Sequence, residues 1–200
     1  TDKMYFKGGT ALRLLYQSPR FSEDLDFSST HHDIFGIENA VMNTVADISR
    51  EGIRADITES KPTTGGYIAA FDFFYDGDRM PLQMEVSLRQ GRKKGDFATI
   101  SSDFLPPYTI VQLAQQQLIE EKIAAFLSRK KPRDFYDVYF LLRSQMIVDK
   151  NMELLQSMLD VVGKTSIRFD FELKRFLPKS HWMIMRTLKA TLEREIRRYL

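Results

Sequence analysis

The chain has 200 residues, 43% of them hydrophobic, and a formal net charge of +2, a composition typical of a globular protein with a sizeable core. It contains no cysteine, which excludes disulfide bonds and zinc–thiolate sites. No signal peptide and no apolar run of about 18 residues is visible, so we expect a cytoplasmic protein that does not cross a membrane. Because the chain begins at Thr1 and soon enters a strand-like segment, we expect the natural protein to contain residues before it.

The first half of the chain predicts a mixture of strands and helices. Apolar residues recur with a helical period between Ile34 and Arg50 and predict a helix there. A shorter helix is predicted over residues 9–17, before the break at Ser18-Pro19. Strands are predicted over residues 4–7, 24–28, 53–58, 67–75 and 81–90.

The clearest alternation of apolar and polar residues in the chain begins at Pro81. It predicts a strand with one apolar face, and its other face is polar, with Gln83, Glu85, Ser87 and Arg89. The preceding strands are predicted to be joined through Pro62 and Gly65-Gly66. Residues 91–107 are rich in glycine and proline and predict a loop.

From about residue 110 onward, the chain predicts helices only. One helix is expected from Gln112 to Ser128 and another from Arg133, and residues 151–200 predict three helices with a break at Pro178. A mixed α/β half followed by a helical half predicts an α+β fold. We therefore expect two parts, residues 1–107 and residues 108–200.

A glycine pair precedes the first predicted helix. At Gly8 and Gly9, the absence of Cβ atoms lets the backbone approach a phosphate closely, and the N–H groups of a helix N-terminus favour an anion. The hydroxyl group of Thr10 can cap the helix or contact the same phosphates. These three residues therefore predict a phosphate-binding turn.

Two aspartates follow at alternate positions of the second predicted strand. Asp24 and Asp26 should share one face of that strand, whereas Leu25 and Phe27 should point to a core. Neighbouring carboxylates repel each other unless a cation lies between them, and Mg²⁺ is typically bound by one or two carboxylates together with substrate phosphates. The alternative is a turn with a solvated pair of aspartates.

The strings KGGTAL at residues 7–12 and RFSEDLDF at residues 20–27 together resemble a known signature. It is that of the AbiEii/AbiGii toxins of type IV toxin–antitoxin systems, within the DNA polymerase β-like nucleotidyltransferase superfamily. The resemblance implies a polymerase β-like sheet with flanking helices and Mg²⁺ or Mn²⁺ as cofactor. It also implies nucleotide contacts from Arg20 and Ser22 in addition to those of the glycine turn.

The resemblance further implies a third acidic residue on a strand beside the aspartate pair. Glu85 is the best candidate, since it lies on the polar face of the clearest predicted strand. It would bind a second metal ion or accept a proton from the attacking hydroxyl group. Asp72 and Glu59 are the alternatives, and a solvent-facing glutamate is the simpler interpretation.

The helical half contains two charged residues in otherwise apolar surroundings. Lys122 falls inside the apolar stripe of its predicted helix, between Leu118 and Phe126, so it either extends to solvent or points into a cleft. The lysine and the later R-D-x-x-D sequence, which contains Asp134, resemble a second motif of the family. The resemblance implies that Lys122 contacts the nucleotide and that Asp134 completes the catalytic site, where it is a candidate for the base.

The alternative for this second motif is an internal set of salt bridges, with Arg133 paired to Asp137 one helical turn later. We assign mainly structural roles to these two residues. The C-terminal helix ends in several arginines, which form either a solvated face or one that contacts RNA.

Taken together, residues 1–107 are expected to form the catalytic core and residues 108–200 a helical subdomain that completes the active-site cleft. We expect a metal-dependent nucleotidyltransferase toxin that moves a nucleoside monophosphate from an NTP to an acceptor hydroxyl group. Relatives imply the 3′ end of tRNA as acceptor and a cognate antitoxin as partner. The basic loops Arg92-Lys93-Lys94 and Arg129-Lys130-Lys131 could attract RNA. The rivals are an antibiotic-modifying nucleotidyltransferase and a nucleotide-binding module without turnover.

Overall fold

A computed structural model describes residues 4–30, 33–89, 91–103, 105–147 and 151–200 of the chain. The chain forms two compact units. The sheet unit comprises Thr1–Tyr16 and Glu23–Ala114, and the helical unit comprises Gln17–Ser22 and Gln115–Leu200. The short segment Gln17–Ser22 thus belongs to the helical unit although both of its flanking segments belong to the sheet unit.

The sheet unit is built on seven strands, as far as the described residues show, in the order β3-β4-β5-β2-β1-β7-β6. The strands are β1 (Met4–Lys7), β2 (Asp24–Ser29), β3 (Arg54–Thr63), β4 (Gly66–Tyr75), β5 (Asp78–Ser87), β6 (Gly95–Ile100) and β7 (Tyr108–Leu113). The β2–β5 and β1–β7 pairs are parallel and the other pairs are antiparallel, so the sheet is mixed. Its helices are α1 (Gly8–Tyr16) and α2 (Ile34–Arg50).

Helix α2 covers the core of this unit. Asp33 caps its N-terminus, because the Asp33 carboxylate accepts a hydrogen bond of 2.9 Å from the Gly36 N–H. Ile37 and Val41 are buried in a cluster with residues of the adjacent strands β4 and β5, which include Tyr67, Ala69, Phe71, Met84 and Val86. The apolar face of α2 and the apolar faces of these strands therefore pack together in one layer.

The helical unit consists of five helices and a short 3₁₀ helix in the described chain. They are α3 (Gln115–Ser128), α4 (Pro132–Arg143), α5 (Met152–Lys164), α6 (Phe169–Phe176), the 3₁₀ helix Lys179–His181 and α7 (Trp182–Arg197). Three buried aromatic rings join α3, α4 and α6. The ring of Phe135 lies 4.9 Å from that of Phe126 and 5.3 Å from that of Phe169, both in edge-on geometry. None of the described helices is long and apolar enough to cross a membrane.

Several predicted boundaries are wrong at the middle of the chain. Strand β3 continues through Pro62, which an edge strand tolerates. Residues 91–107 contain β6, which the loop prediction missed because most of its side chains are exposed and show no alternation. The prediction of helices alone from residue 110 is also wrong, since β7 pairs with β1 and β6. Helix α3 therefore begins at Gln115 rather than Gln112.

The boundary expected between residues 107 and 108 lies before β7, whereas the two units divide after it, between Ala114 and Gln115. Pairing of β7 with its neighbours explains why this strand belongs to the sheet unit. The strand predicted from Pro81 is confirmed as β5, which begins at Asp78 and ends at Ser87. The predicted end of that strand, Gln90, lies outside the described residues.

We expect Gly66→Ala to disturb the pairing of β4 with β5. A Cβ atom at Gly66 would overlap the backbone carbonyl group of Val86, whereas at Gly65 its nearest neighbour would lie 3.9 Å away. Such overpacking should lower the free energy of unfolding by about 1–3 kcal/mol, as measured by urea denaturation. Gly65→Ala is the matched control and should change it little, so equal losses in the two variants would contradict this account.

Candidate active site

The pairing of β2 with β5 brings four polar side chains to one face of the sheet. In this parallel pair, Asp26 lies beside Glu85 and Asp24 lies beside Gln83. Alternate residues of a strand share a face, so all four belong to the same face. We call Asp24, Asp26, Gln83 and Glu85 the polar quartet.

The residues that alternate with the members of the polar quartet along β2 and β5 point to the opposite face. Leu25 and Phe27 on β2 and Met84 and Val86 on β5 pack in the apolar core that α2 covers. Full burial of such a side chain contributes roughly 1.5–3 kcal/mol, and the half-buried Leu25 and Phe27 contribute less. Core packing therefore determines that the carboxylates of Asp24 and Asp26 lie on the face away from α2.

Helix α1 begins directly beside the polar quartet. Gly8 has φ of +81°, and a Cβ atom there would overlap the carboxylate of Asp26 and lie 2.6 Å from its Cβ atom. Only glycine meets both demands, the left-handed backbone and the close approach. The N-terminus of α1, where backbone N–H groups and the helix dipole favour anions, is thereby held next to a carboxylate. An anionic ligand at this place would need a cation to offset Asp26.

Thr10 fixes α1 to the strand that carries the aspartates. Its hydroxyl group donates a hydrogen bond of 2.5 Å to the backbone carbonyl oxygen of Asp24. Gly9 is buried. The structure thus gives Thr10 and Gly9 parts in positioning the turn, while phosphate contacts from Gly8, Gly9 and Thr10 stay a prediction.

The acidic side chains of the polar quartet do not form a complete metal site by themselves. Among the described residues, no three His, Asp or Glu side chains are grouped closely enough to hold a metal ion. Glu85 is exposed, and its Oε1 atom accepts a hydrogen bond of 2.7 Å from Gln83 Nε2. Two neighbouring carboxylates nevertheless fit Mg²⁺, which usually takes one or two protein carboxylates and completes its shell with water and substrate phosphates.

The alternatives to Glu85 are occupied elsewhere in the sheet. Asp72, on β4, forms a 2.8 Å ion pair with Arg79. Glu59, on the edge strand β3, forms a 2.5 Å ion pair with Lys61. Neither residue is paired in register with Asp24 or Asp26, so Glu85 is the acidic residue that the sheet places beside the aspartates.

The helical unit contains a buried charged cluster centred on Asp137, which is 1% exposed. Arg20 donates two hydrogen bonds to its carboxylate, of 2.6 and 3.1 Å, from Nε and Nη2. Lys122 donates a third, of 2.8 Å, from Nζ. One carboxylate therefore meets two cations, and we call Arg20, Lys122 and Asp137 the buried triad.

The charges of the buried triad determine its ionisation. Burial by itself raises the pKa of Asp137, but the cations of Lys122 and Arg20 outweigh it and hold this pKa at about 2. Burial lowers the pKa of Arg20, and the Asp137 carboxylate more than offsets that effect, so the net direction is upward. Asp137 is therefore a permanent anion at neutral pH, and the positions of Lys122 and Arg20 depend on it.

Asp134 has a clear structural role at the start of α4. Its two carboxylate oxygens accept a hydrogen bond of 2.6 Å from Arg129 Nη2 and one of 3.0 Å from the Lys131 N–H. The residue is 2% exposed. It therefore caps the helix N-terminus, and its proposed part in catalysis stays a prediction.

The alternative in which Arg133 pairs with Asp137 is wrong. Arg133 lies 3.7 Å from Glu172 instead, because both oxygens of Asp137 are used by Arg20 and Lys122. Arg20, predicted to contact nucleotide, is 4% exposed and bound to Asp137, which gives it a structural role. Ser22 is half-buried. Nucleotide contacts from Arg20, Ser22 and Lys122 stay predictions.

Two residues of these sites escaped the sequence analysis as site residues. Gln83 could have been recognised, since it alternates with Glu85 on the polar face of β5. The role of Asp137 as the partner of Arg20 had no local signal, because 117 positions of sequence separate the two.

We predict that Asp137→Asn removes a pH-dependent part of the stability. The Asp137 pKa is lowered from 3.8 to about 2, so its contribution is present above about pH 4 and is lost as the pH falls towards 2. Near neutral pH, the variant should lose about 3–5 kcal/mol in free energy of unfolding, because two buried cations lose their partner. Urea denaturation from about pH 6 to pH 2.5 measures the difference.

The control is Asp160→Asn, which removes an exposed carboxylate paired with Lys164. Its effect should stay small at every pH. A difference between the parent protein and Asp137→Asn that does not shrink as the solution is acidified would contradict the assignment of the buried triad.

The chain matches a known protein family over nearly its whole length. The family model for the AbiEii nucleotidyl transferase toxin of type IV toxin–antitoxin systems matches residues 1–197. No curated protein matches the chain. Two crystal structures from Helicobacter pylori share the fold. JHP933 has a TM-score of 0.68 and 20% identity, with 98% of this chain and 83% of that chain covered.

The second crystal structure, described provisionally as a nucleotidyltransferase, has a TM-score of 0.65 and 18% identity. The match covers 98% of this chain and 86% of that chain. The mixed sheet and its helices are therefore similar in fold to nucleotidyltransferase structures, as the family resemblance of residues 7–12 and 20–27 implies. With its match over nearly the whole length, this chain belongs to the AbiEii nucleotidyltransferase toxin family of type IV toxin–antitoxin systems.

Proposed function

We propose that this protein transfers a nucleoside monophosphate from an NTP to a hydroxyl group of RNA, with a tRNA 3′ end as the favoured acceptor, and thereby acts as the toxin. The observation that carries the proposal is the parallel register of β2 and β5, which sets Asp26 beside Glu85 at the N-terminus of α1. Carboxylates and a helix N-terminus side by side suit a nucleotide whose phosphates arrive with a divalent cation.

Asp24 and Asp26 would hold Mg²⁺ or Mn²⁺, together with the phosphates of the NTP. The cation, when bound, would neutralise the negative charge that develops on the phosphates. The backbone N–H groups at the start of α1 would orient the triphosphate, since Gly8 allows this helix N-terminus to lie against Asp26. Gln83 orients the carboxylate of Glu85 through its hydrogen bond.

Glu85 would act as the base for the acceptor. It would take the proton of the attacking hydroxyl group as that oxygen forms a bond to the α-phosphorus, while the bond to the pyrophosphate oxygen breaks. The exposed position of Glu85 allows an acceptor to reach it. Lys122, whose ammonium group is held by Asp137, remains our candidate for a phosphate contact.

Charge supports the proposed acceptor, and family membership supports the proposed partner. The loops Arg92-Lys93-Lys94 and Arg129-Lys130-Lys131 are basic, as phosphate contacts with RNA require, although Arg129 also pairs with Asp134. Membership of a type IV toxin–antitoxin family implies a cognate antitoxin. Because NTPs and RNA meet in the cytoplasm, we propose that the reaction occurs there.

The test is a labelling assay with each α-³²P-labelled NTP, Mg²⁺ and total RNA, followed by gel electrophoresis. We expect label in RNA with the parent protein. Glu85→Gln should slow labelling by roughly 10²- to 10⁴-fold, the contribution typical of a general base. Glu51→Gln is the matched control, because Glu51 is exposed at the C-cap of α2 and should not matter.

Three outcomes of this assay would contradict the proposal. Label in a small acceptor alone would indicate an enzyme that modifies small molecules. Label nowhere would indicate a nucleotide-binding module. Equal rates for Glu85→Gln and the parent protein would remove Glu85 from the reaction.

A further inference from the structure

Helices α6 and α7 carry basic and aromatic side chains that the proposed reaction does not use. Phe171 is 86% exposed, an unusual position for so large an apolar side chain. Lys174 and Arg175 follow three and four residues later, so they share a face of α6 with it. Lys179, Trp182 and Arg186 follow in sequence beyond Pro178, and the Trp182 ring contacts Lys174. We call these six residues the α6–α7 surface.

Hydrogen bonds and ring contacts hold parts of this surface in place. Trp182 donates a hydrogen bond of 3.0 Å from Nε1 to the Leu177 carbonyl oxygen. The ammonium group of Lys174 lies 4.8 Å from the centre of the Trp182 ring, and the guanidinium group of Arg175 lies 5.6 Å from that of Phe176. These cation–π contacts order cations that would otherwise move freely, which reduces the entropy lost when they bind a ligand.

The charge of the α6–α7 surface indicates the kind of ligand. Two carboxylates flank Phe171, and each is paired, Asp170 with Arg168 and Glu172 with Arg133. Residues 170–192 contain five Lys and Arg residues and no other Asp or Glu. One of them, Lys189, is used inside the unit, where its ammonium group donates to the carbonyl oxygens of Gly163 and Thr165. The other four are exposed. A second copy of this chain would bring like charge to the surface, whereas a polyanion would complement it.

Phe171 restricts the choice among polyanions. A polyanion without bases gains nothing from an exposed phenyl ring, but an unpaired nucleotide base stacks on one. We propose that the α6–α7 surface binds single-stranded RNA, with a base stacked on Phe171 and neighbouring phosphates on the cations. The inference rests on the RNA acceptor of the proposed function and identifies a surface that would hold it.

The test is fluorescence anisotropy with a labelled single-stranded RNA oligonucleotide, without NTP. Phe171→Ala should weaken binding roughly 5- to 150-fold, the range that corresponds to loss of one base–aromatic stack. Phe35→Ala is the matched control, because Phe35 is 73% exposed on α2, a helix whose one Lys or Arg is its last residue, Arg50. Thermal unfolding should show that both variants keep the stability of the parent protein.

A salt titration separates the stacking interaction from the charges. Changing Lys179 and Arg186 together to Gln should reduce the slope of log K against log salt by about 0.7 for each phosphate that is no longer neutralised. Phe171→Ala should leave the slope unchanged. Lys164→Gln, which alters an exposed lysine of α5 that pairs with Asp160, is the control for charge and should also leave it unchanged.

Inorganic polyphosphate is the competitor that decides between RNA and any other anionic partner. It should bind the parent protein and Phe171→Ala equally well. The inference is overturned if Phe171→Ala binds RNA as the parent does. It is also overturned if the variant loses affinity for RNA and polyphosphate alike, because Phe171 would then not contribute by stacking on a base. Glu85→Gln should retain full RNA affinity, so failure of this surface is distinguishable from failure of the proposed reaction.

Discussion

The parallel pairing of β2 with β5 is the constraint on which the candidate site depends. A slip of one residue would turn Asp24 and Asp26 into the apolar layer under α2 and expose Leu25. Burial of unpaired carboxylates is far more costly than the exposure of a few apolar side chains, so the core enforces the register. The core and the polar quartet thus lie on opposite faces of the same strand pair. Only glycine fits at position 8, beside the carboxylate of Asp26.

The helical unit is organised by charge as well as by apolar packing. Asp137 holds Arg20 and Lys122 from inside the unit, so the segment Gln17–Ser22 is attached to α4. The Phe21 N–H also donates a hydrogen bond of 2.7 Å to the Phe176 carbonyl oxygen, which attaches the same segment to α6. A buried anion with two cations is a costly arrangement whose value lies more in fixed positions than in stability.

Much of the fold could be predicted from local pattern. The first four elements and β5 follow from periodicity and from the glycine turn, and the aspartate pair marks the site. Strand β6 was missed because most of its side chains are exposed and show no alternation, and β7, with which it pairs, was missed because its pairing with β1 joins distant parts of the sequence. The partner of Arg20 was missed for the same reason, whereas the position of Glu85 beside Asp26 was predicted by family resemblance and then found in the register.

The central claim is that Asp24 and Asp26 hold a divalent cation together with the NTP. The most direct test measures Mn²⁺ affinity in the presence of a non-hydrolysable NTP, with the EPR signal of free Mn²⁺ as the readout. The account predicts that Asp26→Asn binds Mn²⁺ at least about tenfold more weakly than the parent protein, because a ligand of the ion is removed. Asp76→Asn should bind as the parent does, since Asp76 lies in the exposed β4–β5 turn with φ of 50°, a backbone that asparagine tolerates. Equal affinity for Mn²⁺ in the parent protein and Asp26→Asn would contradict the account.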